Sequence, residues 1–257
     1  MGLRERVYSE IAMKRLVNNP NVRVLGNISV ERLPIFSFLI YPAVTEKLSD
    51  GFDESACDKQ FDQNARRKQL PLHGRFVTRL LNDLFGIQAR GGCACASPYG
   101  HILLNVDNEA WLSIRSAILE GYNGLKPGWT RLSFTYYLST EEFKVILSAI
   151  EFIAEFGHRF LPLYRFDWIA GNWTFRKQAI KYHIMREELS LAAEPLQNQK
   201  DQPKVSDHNM GKPVVNHKKF VSYLESAKKL ALSLPDISNQ IVSLPKGVDL
   251  DWILFRI

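Results

Sequence analysis

Cysteine is scarce in this chain of 257 residues. Three residues, Cys57, Cys93 and Cys95, are too few to staple so long a chain. A disulfide scaffold is therefore excluded, and free thiols in a reducing, cytoplasmic setting are the expectation. Long apolar runs are also missing. The longest, "LPIFSFLIYPAV", extends about a dozen residues and is interrupted by Pro42, whereas a bilayer-spanning helix needs about 20. The opening "MGLRERVYSE" has no secretory-signal pattern, and Arg6 stands where myristoylation requires Ser or Thr. No membrane partner is expected. Nor is charge of one sign concentrated. The 33 Lys and Arg face 27 Asp and Glu for a net charge of +6, and the densest basic run is only Arg66, Arg67 and Lys68. A nucleic-acid binder gathers its basic residues on one stripe or helix, so nucleic acid is not an expected partner either. Internal repeats are absent.

What is present is a regular alternation of strand and helix patterns. "LRERVYSEIAMKRLVNNPNV" predicts a helix with Val7, Ile11 and Leu16 near one face and "NNPN" as its stop. "VRVLG" and "LPIFSFLIY" read as strands, and residues 45–70 as a polar loop. "LHGRFVTRLLNDLFG" repeats Phe76, Leu80 and Leu84 at helical spacing, with Gly86 as a C-cap. "IQAR" reads as a strand leading into a glycine-rich turn. A helix follows through Trp111, Ile114 and Ile118. In "GWTRLSF", Thr130, Leu132 and Phe134 alternate with Arg131 and Ser133 on the opposite face. "STEEFKVILSAIEFIAEFG" combines a capping box, Ser139 and Glu142, with the apolar stripe Phe143, Ile146, Ile150 and Ile153. The order β, β, α, β, α, β, α over residues 20–157 predicts an α/β or α+β sandwich. Further on, "WTFRKQAIKYHIMREEL" reads as a helix, "QNQKDQPKVSDHNMGKP" as a linker of disordered composition, "FVSYLESAKKLALSL" as a late helix, and "WILFRI" as a strand-like tail.

The turn "ARGGCACASPYGH", residues 89–101, carries the chemistry. A disulfide across the single residue between Cys93 and Cys95 would be badly strained. Arg90 and free backbone N–H groups would lower a neighbouring thiol's pKa, and Gly91 and Gly92 would let the chain turn sharply and expose it. A reactive thiol, an inert turn cysteine and a zinc site all remain open on residues alone. The zinc ligands would be Cys93, Cys95 and His101, with Cys57 as a fourth, although Cys-x-Cys is not the usual Cys-x₂₋₄-Cys spacing and His101 reads as an ordinary loop histidine. Arg131 is either a surface residue or a grip for an anion, since a guanidinium holds a carboxylate through two parallel hydrogen bonds.

"GIQARGGCACA", "GWTRLSF" and "STEEFKVILSAIEFI" together resemble the C-terminal small domain of class V pyridoxal-phosphate-dependent transferases, most nearly the cysteine desulfurases and molybdenum cofactor sulfurases. The resemblance covers roughly residues 1–165. It implies the small domain of the fold-type I transferase fold, with 1–19 a linking helix, 20–165 the domain itself, 166–192 an extension helix, 193–216 the disordered linker and 217–257 a C-terminal helix and tail. It implies Cys95 as the sulfur-accepting nucleophile, Cys93 as the first thiol of the sulfurase Cys-x-Cys, and Arg131 and Arg90 as substrate-binding residues, Arg131 clamping the carboxylate of a cysteine-like amino acid. The family's cofactor, pyridoxal 5'-phosphate, is held on a lysine in a Ser-x-His-Lys segment of a large domain that precedes the small one. Here the sole His-Lys pair, His217–Lys218 in "VVNHKKF", follows the linker and lacks those flanks. The expectation is half an enzyme: a chain that does not hold the cofactor alone, whose partner is a large domain or separate chain, and which can form a homodimer. A non-catalytic binding or sulfur-acceptor domain of the same descent is the alternative.

Overall fold

Alternation of apolar residues in "IFSFLI" and "WTRLS" builds the centre of the fold in the computed structural model, which describes residues 2–42, 70–93, 97–193, 215–235, 244–249 and 252–256. The helices in chain order are α1 (Leu3–Asn18), α2 (Gly74–Phe85), α3 (Ser97–Leu104), α4 (Asn108–Leu119), α5 (Thr140–Phe156), α6 (Lys177–Ala193) and α7 (Val215–Ser233). The strands are β1 (Val22–Val24), β2 (Ile35–Ile40), β3 (Arg90–Gly92), β4 (Trp129–Ser133), β5 (Tyr164–Phe166) and β6 (Trp173–Phe175). The first four strands form one antiparallel sheet ordered β1-β2-β4-β3, and β5 and β6 form a hairpin. The architecture is α+β.

Phe36, Phe38, Ile40, Leu132 and Phe134 project from one sheet face into the main core, where they meet residues of α1, α2, α5 and α7. Phe36 is fully buried, and truncating such a ring to Ala costs about 3–5 kcal/mol. The capping box of α5 forms as its sequence predicts: Glu142 N donates to Ser139 Oγ at 3.1 Å and Ser139 N to Glu142 Oε2 at 2.8 Å. Helix α2 ends at Gly86, whose φ of 67° is left-handed, a conformation that costs glycine little.

Several sequence expectations are corrected. Helix α1 buries Tyr8, Ala12 and Leu16, whereas Val7 and Ile11 are exposed. Tyr8 decides this rotation: its ring stacks on Phe143 at 4.2 Å and its hydroxyl donates to the Leu138 carbonyl at 2.9 Å. Helix α2 buries Leu81 and Phe85 fully and Leu84 only in part. "IQAR" is not the strand; β3 starts at Arg90 and consists of "RGG" itself. His101 belongs to helix α3 rather than to a loop. In "WTFRKQAIKYHIMREEL" the first three residues are strand β6, and the helix begins at Lys177. Trp173 of that strand enters the main core against Phe76, with ring centroids 4.6 Å apart. The tail "WILFRI" is not a strand but makes one parallel bridge, Arg256 to Leu72. Its Ile253 and Phe255 complete a second core with Ile114, Ala117 and Leu125. The loop expected at 45–70 lies almost wholly outside the described residues, as does most of the linker at 193–216. No helix among the described residues is long and apolar enough to cross a membrane.

Candidate functional site

The sheet face turned away from the main core carries Leu25, Leu39 and Trp129, covered in part by Leu103 and Leu104 of α3. Beside that cover lies a charged row. In the β3–β4 register Arg90 pairs with Arg131, and in the β2–β4 register Ser37 pairs with Arg131. Directly opposed residues project from the same face with Cβ atoms about 4.5–5.5 Å apart, and like charges so placed repel. Arg90 is exposed and Arg131 half-buried. Among the described residues neither forms an ion pair or a side-chain hydrogen bond. In the neighbouring row Trp129 is 4% exposed, and its indole N–H has no acceptor among the described residues. Arg23, opposite Leu39 in that row, adds positive charge at the rim.

Close backbone contacts hold this row in place. A Cβ at Gly91 would lie 2.7 Å from the Gly74 carbonyl oxygen and 2.8 Å from the backbone of Arg75, so only glycine lets β3 pack against the start of α2. A Cβ at Gly128 would lie 2.5 Å from the Gly92 carbonyl carbon and 2.8 Å from Cys93 N. Gly91 and Gly92, expected to open a turn, are strand residues: the missing side chain of Gly91 admits the start of α2, whereas Gly92 takes a φ of 114° that favours glycine. Thr130 Oγ1 donates to the Gly74 carbonyl at 3.2 Å, and Arg75 Nη1 donates to the carbonyls of Ala170 at 2.8 Å and Gly171 at 3.2 Å. These bonds join β4, α2 and the β5–β6 turn around the end of β3.

Of the thiols, Cys93 follows β3 directly and is a half-buried free cysteine. Cys95 and Cys57 lie outside the described residues, and with them part of the expected zinc set. Among the described residues no three His, Cys, Asp or Glu side chains gather as a metal site. His101 packs on Trp111, with ring centroids 4.1 Å apart. The structure thus brings Arg90 and Arg131 together, in register, at the strand that leads to Cys93.

One buried group escaped the sequence reading. His73, just before α2, is 6% exposed and ringed by Phe166, Trp173 and Phe255. Its Nδ1 accepts the Trp173 indole N–H at 2.9 Å, so the neutral ring carries its proton on Nε2. Burial, with a smaller contribution from the Arg75 charge, lowers its pKa from 6.5 to about 3. No local signal announces this, because Trp173 lies one hundred positions away.

Pyridoxal phosphate would need a lysine facing Arg131. His217–Lys218 falls in α7, which packs against α2 and α5 on the core side of the sheet. Among the described residues, the strand rows through and beside Arg131 offer no lysine that would hold the cofactor there. No family model matches the chain, and comparison with curated proteins and with solved structures finds no match.

Proposed function

We propose that this chain is the carboxylate-binding small domain of a class V pyridoxal-phosphate-dependent transferase of the cysteine desulfurase type. In this reading Arg131 grips the carboxylate of a cysteine-like amino acid, Arg90 adds a second positive group, and Cys95 is the sulfur acceptor. The cofactor and its lysine belong to a large domain, on the same chain or on a partner. The observation that carries the reading is the half-buried Arg131, without an ion pair or side-chain hydrogen bond among the described residues, opposite Arg90 and beside the strand leading to the thiols. An arginine buried for the fold would be paired with a carboxylate, because a buried charge left alone is costly; the half-buried Arg131 is not such a residue. A ligand-serving one is left with its donors free.

The test is Arg131→Ala. Its folding stability should change by about 0.5 kcal/mol or less, as at an ordinary surface position. A structural ion-pair partner would instead cost about 3–5 kcal/mol. Binding of L-cysteine to the full chain, followed by NMR of the arginine side chains, should weaken by about tenfold or more, the scale of a hydrogen bond to a charged group. A large loss of stability with unchanged affinity would make Arg131 part of the scaffold.

A further inference from the structure

We infer that the C-terminal tail, residues 252–256, is a strap closed over His73 that opens ahead of the rest of the fold when this ring takes up a proton. The inference does not depend on the reading of Arg131. Three aromatic walls enclose the ring: Phe166 and Trp173 from the β5–β6 hairpin, and Phe255 from the tail, which lies nearest with ring centroids 4.2 Å apart. The hairpin walls are built into the main core. Trp173 packs on Phe76, Tyr164 donates its hydroxyl to Asp83 at 2.9 Å, and Arg75 holds the carbonyls of Ala170 and Gly171. The tail has lighter ties. Among the described residues its backbone meets the rest of the fold at Arg256, which bridges to Leu72 and donates its N–H to the Pro71 carbonyl at 2.7 Å. Its Ile253 and Phe255 close the smaller core over Ile114, Ala117 and Leu125. A proton on Nδ1 would break the Trp173 indole bond and set a charge among three aromatic rings. Water reaches that charge through the wall that costs least to move, and that wall is the tail.

The charges on the three elements packed around the ring work in the same direction. Arg75 on α2 acts directly on it and repels a proton there. Arg256 follows Phe255 in the tail and is a second positive group, itself partly buried. On the hairpin, Arg165 and Asp167 flank Phe166, and the Asp167 carboxylate accepts from the backbone N–H groups of Ile169 at 2.9 Å and Ala170 at 3.3 Å. Arg79 and Asp83, farther along α2, pair with each other, and Lys246 and Asp249 precede the strap in sequence. With the strap closed the ring resists protonation until about pH 3, whereas an uncovered ring titrates near its ordinary 6.5. Between those values the open form binds more protons, so opening is least above pH 6.5 and grows as the pH falls.

Amide hydrogen exchange of the full chain tests this. At pH 7 the Arg256 amide should be protected about tenfold less, or weaker still, than the amides that pair β2 with β4, because it exchanges through an opening they do not share. Between pH 7 and pH 5 its protection should fall about 25-fold, the ratio set by titration near 6.5 in the open form and about 3 in the closed one. His73→Asn should abolish that fall. Phe255→Ala, which thins the strap without touching the ring, should bring the His73 titration, followed by NMR, up toward 6.5 while the β2–β4 amides stay protected. Equal protection of Arg256 and the β2–β4 amides at both pH values would show that the tail opens only with the whole fold, and would overturn the inference. So would a fall that persists in His73→Asn, or a ring in Phe255→Ala that still resists protonation until about pH 3.

Discussion

Lowering the pH should loosen this fold through His73. Above pH 6.5 the imidazole is neutral in both folded and unfolded chains, and it contributes its full share to stability. The folded ring resists protonation until about pH 3, whereas the unfolded ring takes up a proton near its ordinary value of 6.5. Between those values the unfolded state binds more protons, so stability falls as pH falls, and below about pH 3 this contribution is flat. Integrating the difference gives a loss of about 2 kcal/mol between pH 7 and pH 5, rising to about 3 kcal/mol at pH 4. The cause is local: a proton on Nδ1 would displace the Trp173 indole bond and place a charge among Phe166, Trp173 and Phe255, near the Arg75 charge.

The informative comparison is with His73→Asn, whose amide oxygen can replace Nδ1 as acceptor but does not titrate. Losing the ring will destabilise the variant at every pH, so the quantity to read is the slope. Urea denaturation at both pH values should show the unsubstituted chain losing about 2 kcal/mol more than the variant. Contributions common to both proteins drop out of the difference. Equal losses would refute the reasoning, because they would mean that His73 is hydrated or can be protonated in place.

Gly91→Ala should destabilise the chain by about 1–3 kcal/mol or more, the range for forced overpacking, because the new methyl meets the backbone of Gly74 and Arg75. Thermal or urea unfolding measures it, and a neutral outcome would mean that β3 is not held against α2. Limited alkylation at neutral pH with peptide mapping should label Cys95 ahead of Cys57 and the half-buried Cys93; equal labelling of all three would remove the case for Cys95 as the sulfur acceptor.

The elements that the sequence determined by itself are those specified within one turn or one strand. Ser139 and Glu142 start α5 wherever that segment lies, because each satisfies the other's backbone N–H. Gly86 ends α2 because it takes the left-handed φ at little cost. Period-2 alternation puts Arg131 on the face opposite Leu132 whatever the partner strand, and Leu132 is buried where Arg131 is half-buried. Tertiary structure decided whatever depends on a distant neighbour. Which face of α1 turns inward depends on Phe143 and Leu138 meeting Tyr8. "WTF" continues a helical reading until Tyr164–Phe166 pairs with it as a hairpin. His73 becomes a group that resists protonation only when Trp173 and Phe255 close over it. The register that sets Arg90 opposite Arg131 is also nonlocal: it requires Gly91 to slide under the start of α2 and Gly128 against Gly92. Two arginines forty-one positions apart carry no sign of each other in the sequence, because a cross-strand pair is fixed by backbone approach and not by local preference.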